Sequence, residues 1–218
     1  LDGHLHHLSY GMVELPDGKM KSREGTVVDC DDLMDELLNA AASGGSERWP
    51  SLDADALRKR AESIALGGLK FFLLKYAPPT NFIFDRERSI SFEGETGAYC
   101  QYAYARASSI LRKLDDADEG IEPDYSALNS EHARAVLTAM LTYPGEVAAA
   151  AAELKPSLVT RAAFDLARSF AAFYNHSECR VIGAEPTIMA ARARLVRCAR
   201  KMLGGALNLL GIDALEEM

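Results

Sequence analysis

From Gly97 to Gly211 the chain is a run of helical segments punctuated by proline, and that punctuation constrains the fold more than any other feature. Apolar residues recur at helical spacing over about 97–114, 130–142, 145–154, 157–175 and 187–210. Pro144, Pro156 and Pro186 fall where the spacing predicts helix starts, positions at which a missing backbone N–H costs nothing. Gly211 follows the last segment, where a C-cap is expected. The stretch "GEVAAAAAEL" is low in complexity but consists of good helix formers. Short amphipathic helices in succession must bury their apolar faces against one another, so this half is expected to form an all-α bundle.

The first part is more mixed. Residues 5–13, "LHHLSYGMV", have strand-like content, "ELPDG" has turn chemistry, and "TVV" is a short β-branched run. Asp31 or Asp32 is expected to cap a helix that ends near Ala42. "ASGGSERWPS" reads as a linker or a mobile loop. Ser51 or Asp53 starts a further helix with its apolar side at Leu57, Ala61, Ile64, Gly68 or Leu69, Phe72 and Tyr76, and Pro78-Pro79 stops it. The expected fold class is mainly α, with a short β/loop portion ahead of the helical bundle.

Composition narrows the function classes. At 218 residues the chain is long enough for one large domain or two small ones. No run approaches the roughly 18 apolar residues that a membrane span needs. The opening "LDGHLHHLSY" lacks the apolar core of a signal peptide and has no initiator Met, which is how a fragment or a processed chain begins. Cys30, Cys100, Cys179 and Cys198 lie far apart without a CxxC pair. Neither a zinc site nor a disulfide framework is expected, and a reducing cytoplasm is the default. The net charge of −8 opposes polyanions, so nucleic-acid binding would have to come from local patches.

Three such patches stand out. In "YCQYAYARASSILRKL", Cys100, Ala103, Ala107, Ile110, Leu111 and Leu114 form the expected buried stripe. Tyr99, Tyr102, Arg106, Ser109 and Lys113 recur along a different face. Aromatics interleaved with cations stack bases and neutralise phosphate. The same spacing also suits tyrosines tucked against a neighbouring helix. Residues 192–201, "RARLVRCARK", carry five cations and no acid. Leu195, Cys198, Ala199 and Met202, joined later by Ala206 and Leu209, are expected to be apolar-side, with Arg194, Arg197 and Lys201 opposite. Such a face either meets phosphate or pairs with acids elsewhere. Finally, "GKMKSREGT" sets cations between glycines, which suits phosphate and equally suits a surface turn, and it is not a P-loop.

Longer stretches carry a resemblance. "HLSYGMVELPDGKMKSREGTVV" resembles the segment that bears the KMSKS signature of class I aminoacyl-tRNA synthetases. "ALGGLKFFLLKY", "ISFEGETGAYCQYAYARASSILRKL", "FYNHSECRVI" and "LNLLGIDALEEM" then look like arginyl-tRNA synthetase in the right order. No HIGH-type motif is present, since "DGHLHH" lacks the spacing and the following Gly. The resemblance is therefore to the C-terminal part of such an enzyme. It implies residues 1–82 as the end of the catalytic domain with its KMSKS-type loop and a helical junction. It implies 83–218 as the α-helical anticodon-binding domain known as DALR.

The implied roles follow position by position. Lys19 and Met20 match the first two letters of the signature, Lys21 replaces the usual serine, Ser22 follows, and Arg23 fills the final lysine slot. In the family this loop stabilises the ATP phosphates while arginine attacks the α-phosphate. Glu24, where many relatives have lysine, weakens the local positive field. His7, Tyr10, Gly11 and Met12 are placed near the adenine side. Tyr99, Tyr102 and Arg106, the region of Tyr174, His176 and Arg180, and Met218 are placed toward the anticodon loop, and Arg194, Arg197 and Lys201 on phosphates. The implied partners are tRNA(Arg), arginine and ATP with magnesium, in a cytoplasmic monomer without a tightly bound cofactor or metal in this part. Two readings from other classes are a stand-alone tRNA-binding module without catalysis and a helical scaffold that binds protein through its aromatic face.

Overall fold

The computed structural model describes residues 6–14, 29–50, 52–115 and 117–218, without the side chains of 44–48. In chain order the elements are β1 (Val13–Glu14), α1 (Cys30–Arg48), α2 (Ala54–Leu74), β2 (Phe82–Ile83), α3 (Arg86–Ser89), α4 (Gly97–Leu114), α5 (Glu131–Glu153), α6 (Ser157–Asn175) and α7 (Pro186–Leu209). Short 3₁₀ turns at Tyr125–Leu128 and Ser177–Cys179 precede α5 and α7. The mainly helical class is as expected, with one small parallel pair, Val13 against Phe82 and Glu14 against Ile83, among the described residues.

Two cores share α2. On one side Leu37, Ala65, Leu69, Phe72 and Phe84 pack with Val13, Phe82 and Tyr76. The Phe72 and Phe84 rings meet edge-on at 5.0 Å, and Tyr76 stacks on Phe82 at 4.2 Å. On the other side Phe71 joins the larger core of α4 to α7, with Leu166, Phe170, Phe173, Val196, Leu203 and Leu207. Neighbours on a helix point about 100° apart, so Phe71 and Phe72 serve different cores. The double glycine of α2 makes this junction possible. A Cβ on Gly97 would collide with the Gly67 carbonyl, and one on Gly68 would sit 2.6 Å from the Ser89 carbonyl oxygen.

Several expectations change. The predicted linker is helical as far as Arg48, because α1 continues through Ser43, Gly44 and Gly45. Its cap lies at Asp29, two residues before the nearer expected one, since Asp29 accepts from the Asp31 amide at 2.9 Å. Pro144 lies inside α5 rather than at a helix start. Val136, Met140, Tyr143, Val147 and Ala150 keep one continuous face toward the core across it. Breaking the helix there would take one half of that face off α6, which outweighs the lost hydrogen bond and the steric cost of proline. On α7 the buried stripe runs through Leu195, Val196, Ala199, Leu203, Ala206 and Leu207, whereas Cys198 and Leu209 are exposed. Among the described residues, α5 is long and apolar enough by length and composition to cross a membrane, although polar residues interrupt it and no apolar run of that length occurs.

The end of α7 matches its predicted cap. Gly211 adopts φ +66, and Ile212 donates its amide to the Leu207 carbonyl at 2.9 Å while Gly211 donates to Asn208 at 3.0 Å. This left-handed stop turns the chain back across α4 and α2.

Candidate nucleic-acid interface

The phase of α4 is set by its cap, where Thr96 accepts from the Tyr99 amide at 3.1 Å. With that start, Cys100, Ala103, Ala107, Ile110 and Leu114 are buried, and the stripe of Tyr99, Tyr102, Arg106, Ser109 and Lys113 lines one groove. Its larger part, about 440 Å³, is walled by Tyr102, Arg106, Ser109 and Lys113 of α4, Tyr174 of α6 and Met218. A smaller lobe of about 170 Å³ is floored by Tyr99, Phe170 and Ala103.

The centre of the groove is a cation between two rings. The Arg106 guanidinium carbon lies 4.7 Å from the Tyr102 centroid and 4.5 Å from that of Tyr174. Both tyrosines keep over a third of their surface exposed, at 36% and 38%. Tyr99 differs: it is half-buried, its ring lies 5.5 Å from Phe164, and burial pushes its phenol pKa up. Of the tyrosines in the stripe, Tyr99 is thus the one tucked against a neighbouring helix, and Tyr102 is left open to the groove.

The chain after α7 holds Met218 in place. Lys70 donates to the Gly211 carbonyl at 2.5 Å, Ser63 to the Asp213 carboxylate at 2.9 Å, and Gln101 to the Asp213 carbonyl at 2.9 Å. Tyr104 donates to Glu216 at 2.8 Å, and Arg200 ion-pairs with the same carboxylate. Burial opposes ionisation of Glu216, but hydrogen bonds from Tyr104, Ser108 and Arg200 outweigh it and hold the carboxyl below its ordinary range. Glu217 bridges Arg112, at 2.7 Å, and Arg60, at 3.9 Å.

Tyr174, His176 and Arg180 are also brought together. They line a cavity of about 580 Å³ next to the groove, with Tyr174 common to both. The His176 ring lies 4.2 Å from His132. The basic face of α7 lies elsewhere, and none of Arg194, Arg197 and Lys201 lines the groove. Nor is that face bare. Arg197 makes a two-pronged ion pair with the buried Asp118, one arm at 2.7 Å. That bond holds the Asp118 carboxyl below its ordinary range, against the effect of burial. Arg194 donates to the Tyr125 hydroxyl at 2.7 Å, and Lys201 is exposed.

Of the residues expected on the adenine side, His7, Tyr10 and Met12 are exposed. Gly11 donates to the Pro78 carbonyl at 2.6 Å, and a Cβ there would lie 2.7 Å from the Asn81 amide and collide with the Thr80 carbonyl. Glycine at this position lets β1 approach the turn after α2. Lys19, Met20, Lys21, Ser22 and Arg23 lie outside the described residues. Among the described residues, no cluster of three or more His, Cys, Asp or Glu side chains is placed to hold a metal ion.

Sequence reasoning missed Trp49, Arg60, Phe92 and Arg112, which complete the groove walls. One signal was available for Trp49, because a large aromatic within a Ser, Gly and Pro stretch is out of place in a solvated linker.

Comparison with known proteins matches residues 2–86 to the class I (R) tRNA synthetase catalytic domain and residues 100–218 to the DALR anticodon binding domain. The arginine–tRNA ligase of Treponema pallidum is 40% identical over 98% of this chain and 37% of its own length. That of Pyrococcus furiosus is 36% identical over 98% of this chain and 35% of its own length. The chain thus spans little more than a third of these relatives. The solved arginyl-tRNA synthetase of Thermus thermophilus superposes with TM-score 0.87 at 34% identity, over 98% of this chain and 35% of that one. The Plasmodium falciparum enzyme shares the fold, with TM-score 0.77 at 21% identity over 96% of this chain and 34% of that one.

Proposed function

The chain belongs to the arginyl-tRNA synthetase family, and we propose that the groove on α4 holds the anticodon loop of tRNA(Arg). The observation that carries this reading is the Arg106 guanidinium between the Tyr102 and Tyr174 rings, with Met218 on the same groove. Half-exposed aromatic faces give unstacked bases a surface, and the cation between them answers the phosphate charge. RNA loops splay their bases out, so this chemistry favours a loop over a duplex. Tyr99 supplies the floor, while His176 and Arg180 extend the contact past Tyr174. Arg194 and Lys201 serve phosphates outside the groove, on the face of α7 that Arg197 shares while paired with Asp118.

The chemistry proposed for the whole protein is ligation of arginine to tRNA(Arg). The arginine carboxylate attacks the α-phosphate of ATP and pyrophosphate leaves, then a terminal ribose hydroxyl of the tRNA takes the arginyl group from the adenylate and AMP is released. Lys19, Lys21 and Arg23, with Met20 and Ser22, act on the phosphate charge that develops in the transition state. His7, Tyr10, Gly11 and Met12 flank the adenine, and magnesium arrives on the nucleotide. The division between the two parts falls near residue 82, and the protein works in the cytoplasm as a monomer.

The test is a titration of a labelled arginine-tRNA anticodon stem-loop and an unrelated hairpin. The first should bind more tightly, and Tyr102→Ala should weaken it roughly tenfold, the loss expected of one stacked base. Equal affinity for the two hairpins would sink the anticodon reading.

A further inference from the structure

Trp49 falls in the segment that matches the catalytic domain, yet its ring faces the groove on α4. The corner between α1 and α2 puts it there. Leu52 donates to the Trp49 carbonyl at 3.1 Å, Asp53 caps α2 at the Ala56 amide, and Arg60, further along α2, sets its guanidinium 5.1 Å from the Trp49 ring centroid. Trp49, Phe92, Tyr102 and Met218 together line a recess of about 360 Å³ that opens beside Arg106. Three aromatic rings and a thioether form its walls, while the adjoining groove carries Arg60, Arg106, Arg112 and Lys113 against one acid, Glu217.

We infer that this recess is a second base subsite, which takes one unstacked nucleobase of the bound RNA against the Trp49 indole. The inference rests on the RNA reading of the groove. An apolar wall beside an excess of cations fits a ligand that is flat and apolar on its faces and anionic along its backbone. A single-stranded polynucleotide has both properties, whereas an apolar peptide would leave the neighbouring charge unanswered. Stacking on an indole is tolerant of base identity, so this subsite contributes affinity and register, and the choice of base is made elsewhere in the groove. It also brings the α1–α2 corner into contact with the RNA loop that α4 and α6 hold.

The chain has a single tryptophan, so its emission reads this subsite directly. The experiment titrates the unlabelled anticodon stem-loop into the protein while following tryptophan emission, with the labelled RNA followed in parallel by anisotropy. Emission should be quenched along the same isotherm as the anisotropy rise. Trp49→Leu should weaken binding roughly tenfold, and Trp49→Phe should stay close to wild type, because phenylalanine still stacks. Melting curves accompany both variants, and if Trp49→Leu does not fold, the wild-type emission and Trp49→Phe decide. RNA binding with unchanged emission overturns the inference and leaves the groove reading intact. Quenching with no affinity loss in a folded Trp49→Leu also overturns it, because the RNA then passes near the indole without stacking on it. No anisotropy change with the labelled stem-loop overturns the groove reading itself, and this subsite with it.

Discussion

The groove on α4 and the basic face of α7 have similar cationic content and opposite availability. In the groove, Arg106 rests between two half-exposed tyrosine rings. On α7, Arg197 is gripped by a buried carboxylate and Arg194 by a phenol. Counting charges along the sequence made α7 the more electropositive element. What a polyanion meets is the charge left after internal pairing, and by that measure the groove has the stronger claim. An arginine against aromatic rings keeps its N–H groups open in the ring plane, whereas a two-pronged ion pair uses them.

The widest separation between the two regions should come from Arg106→Ala. It removes the cation and lets the two tyrosines collapse, so RNA affinity should fall by one to two orders of magnitude while the melting temperature changes little. A loss below threefold in the titration would erase the distinction. Arg197→Ala should do the reverse. It strands Asp118, which is buried, and should cost about 1–3 kcal/mol of stability in a denaturant melt with only a modest change in RNA binding. Arg194→Ala should act more weakly, lowering the salt slope of binding by roughly one unit if that side chain meets one phosphate. An unchanged slope would remove it from the contact surface.

Acid provides the finest comparison. Asp118 and Glu216 both have folded pKa values below their ordinary ones, for reasons of hydrogen bonding. Each therefore stabilises the protein fully above the ordinary carboxylate range and loses that contribution as pH falls through its folded value. Acidification should loosen the α7 ion pair and the strap that carries Met218, and the melting temperature should fall with it. Asp118→Asn and Glu216→Gln should each flatten the acid limb of the melting curve. A parallel slope in either variant would show that its carboxylate carries none of the dependence.

Legibility from sequence followed the range of the interaction. The stripe of Tyr99, Tyr102, Arg106, Ser109 and Lys113 could be read because helical spacing fixes which residues share a face, and the Thr96 cap fixes where the helix begins. The Gly211 stop was equally local. Pro144 was misread for the complementary reason. Its local preference is to begin a helix, and the packing of α5 on α6 overrode it.

The sequence by itself determined the helical bundle, the family, and the aromatic and cationic face of α4, since each is written in short-range spacing and in contiguous motifs. Tertiary structure alone decided that Asp118 neutralises Arg197 across 79 positions, and that Tyr104 and Glu216 meet across 112. It also decided that Trp49 and Met218, 169 positions apart, wall one recess. No local pattern encodes such pairs, because they exist only once two cores have closed on either side of α2 and the chain has turned back at Gly211 to cross it.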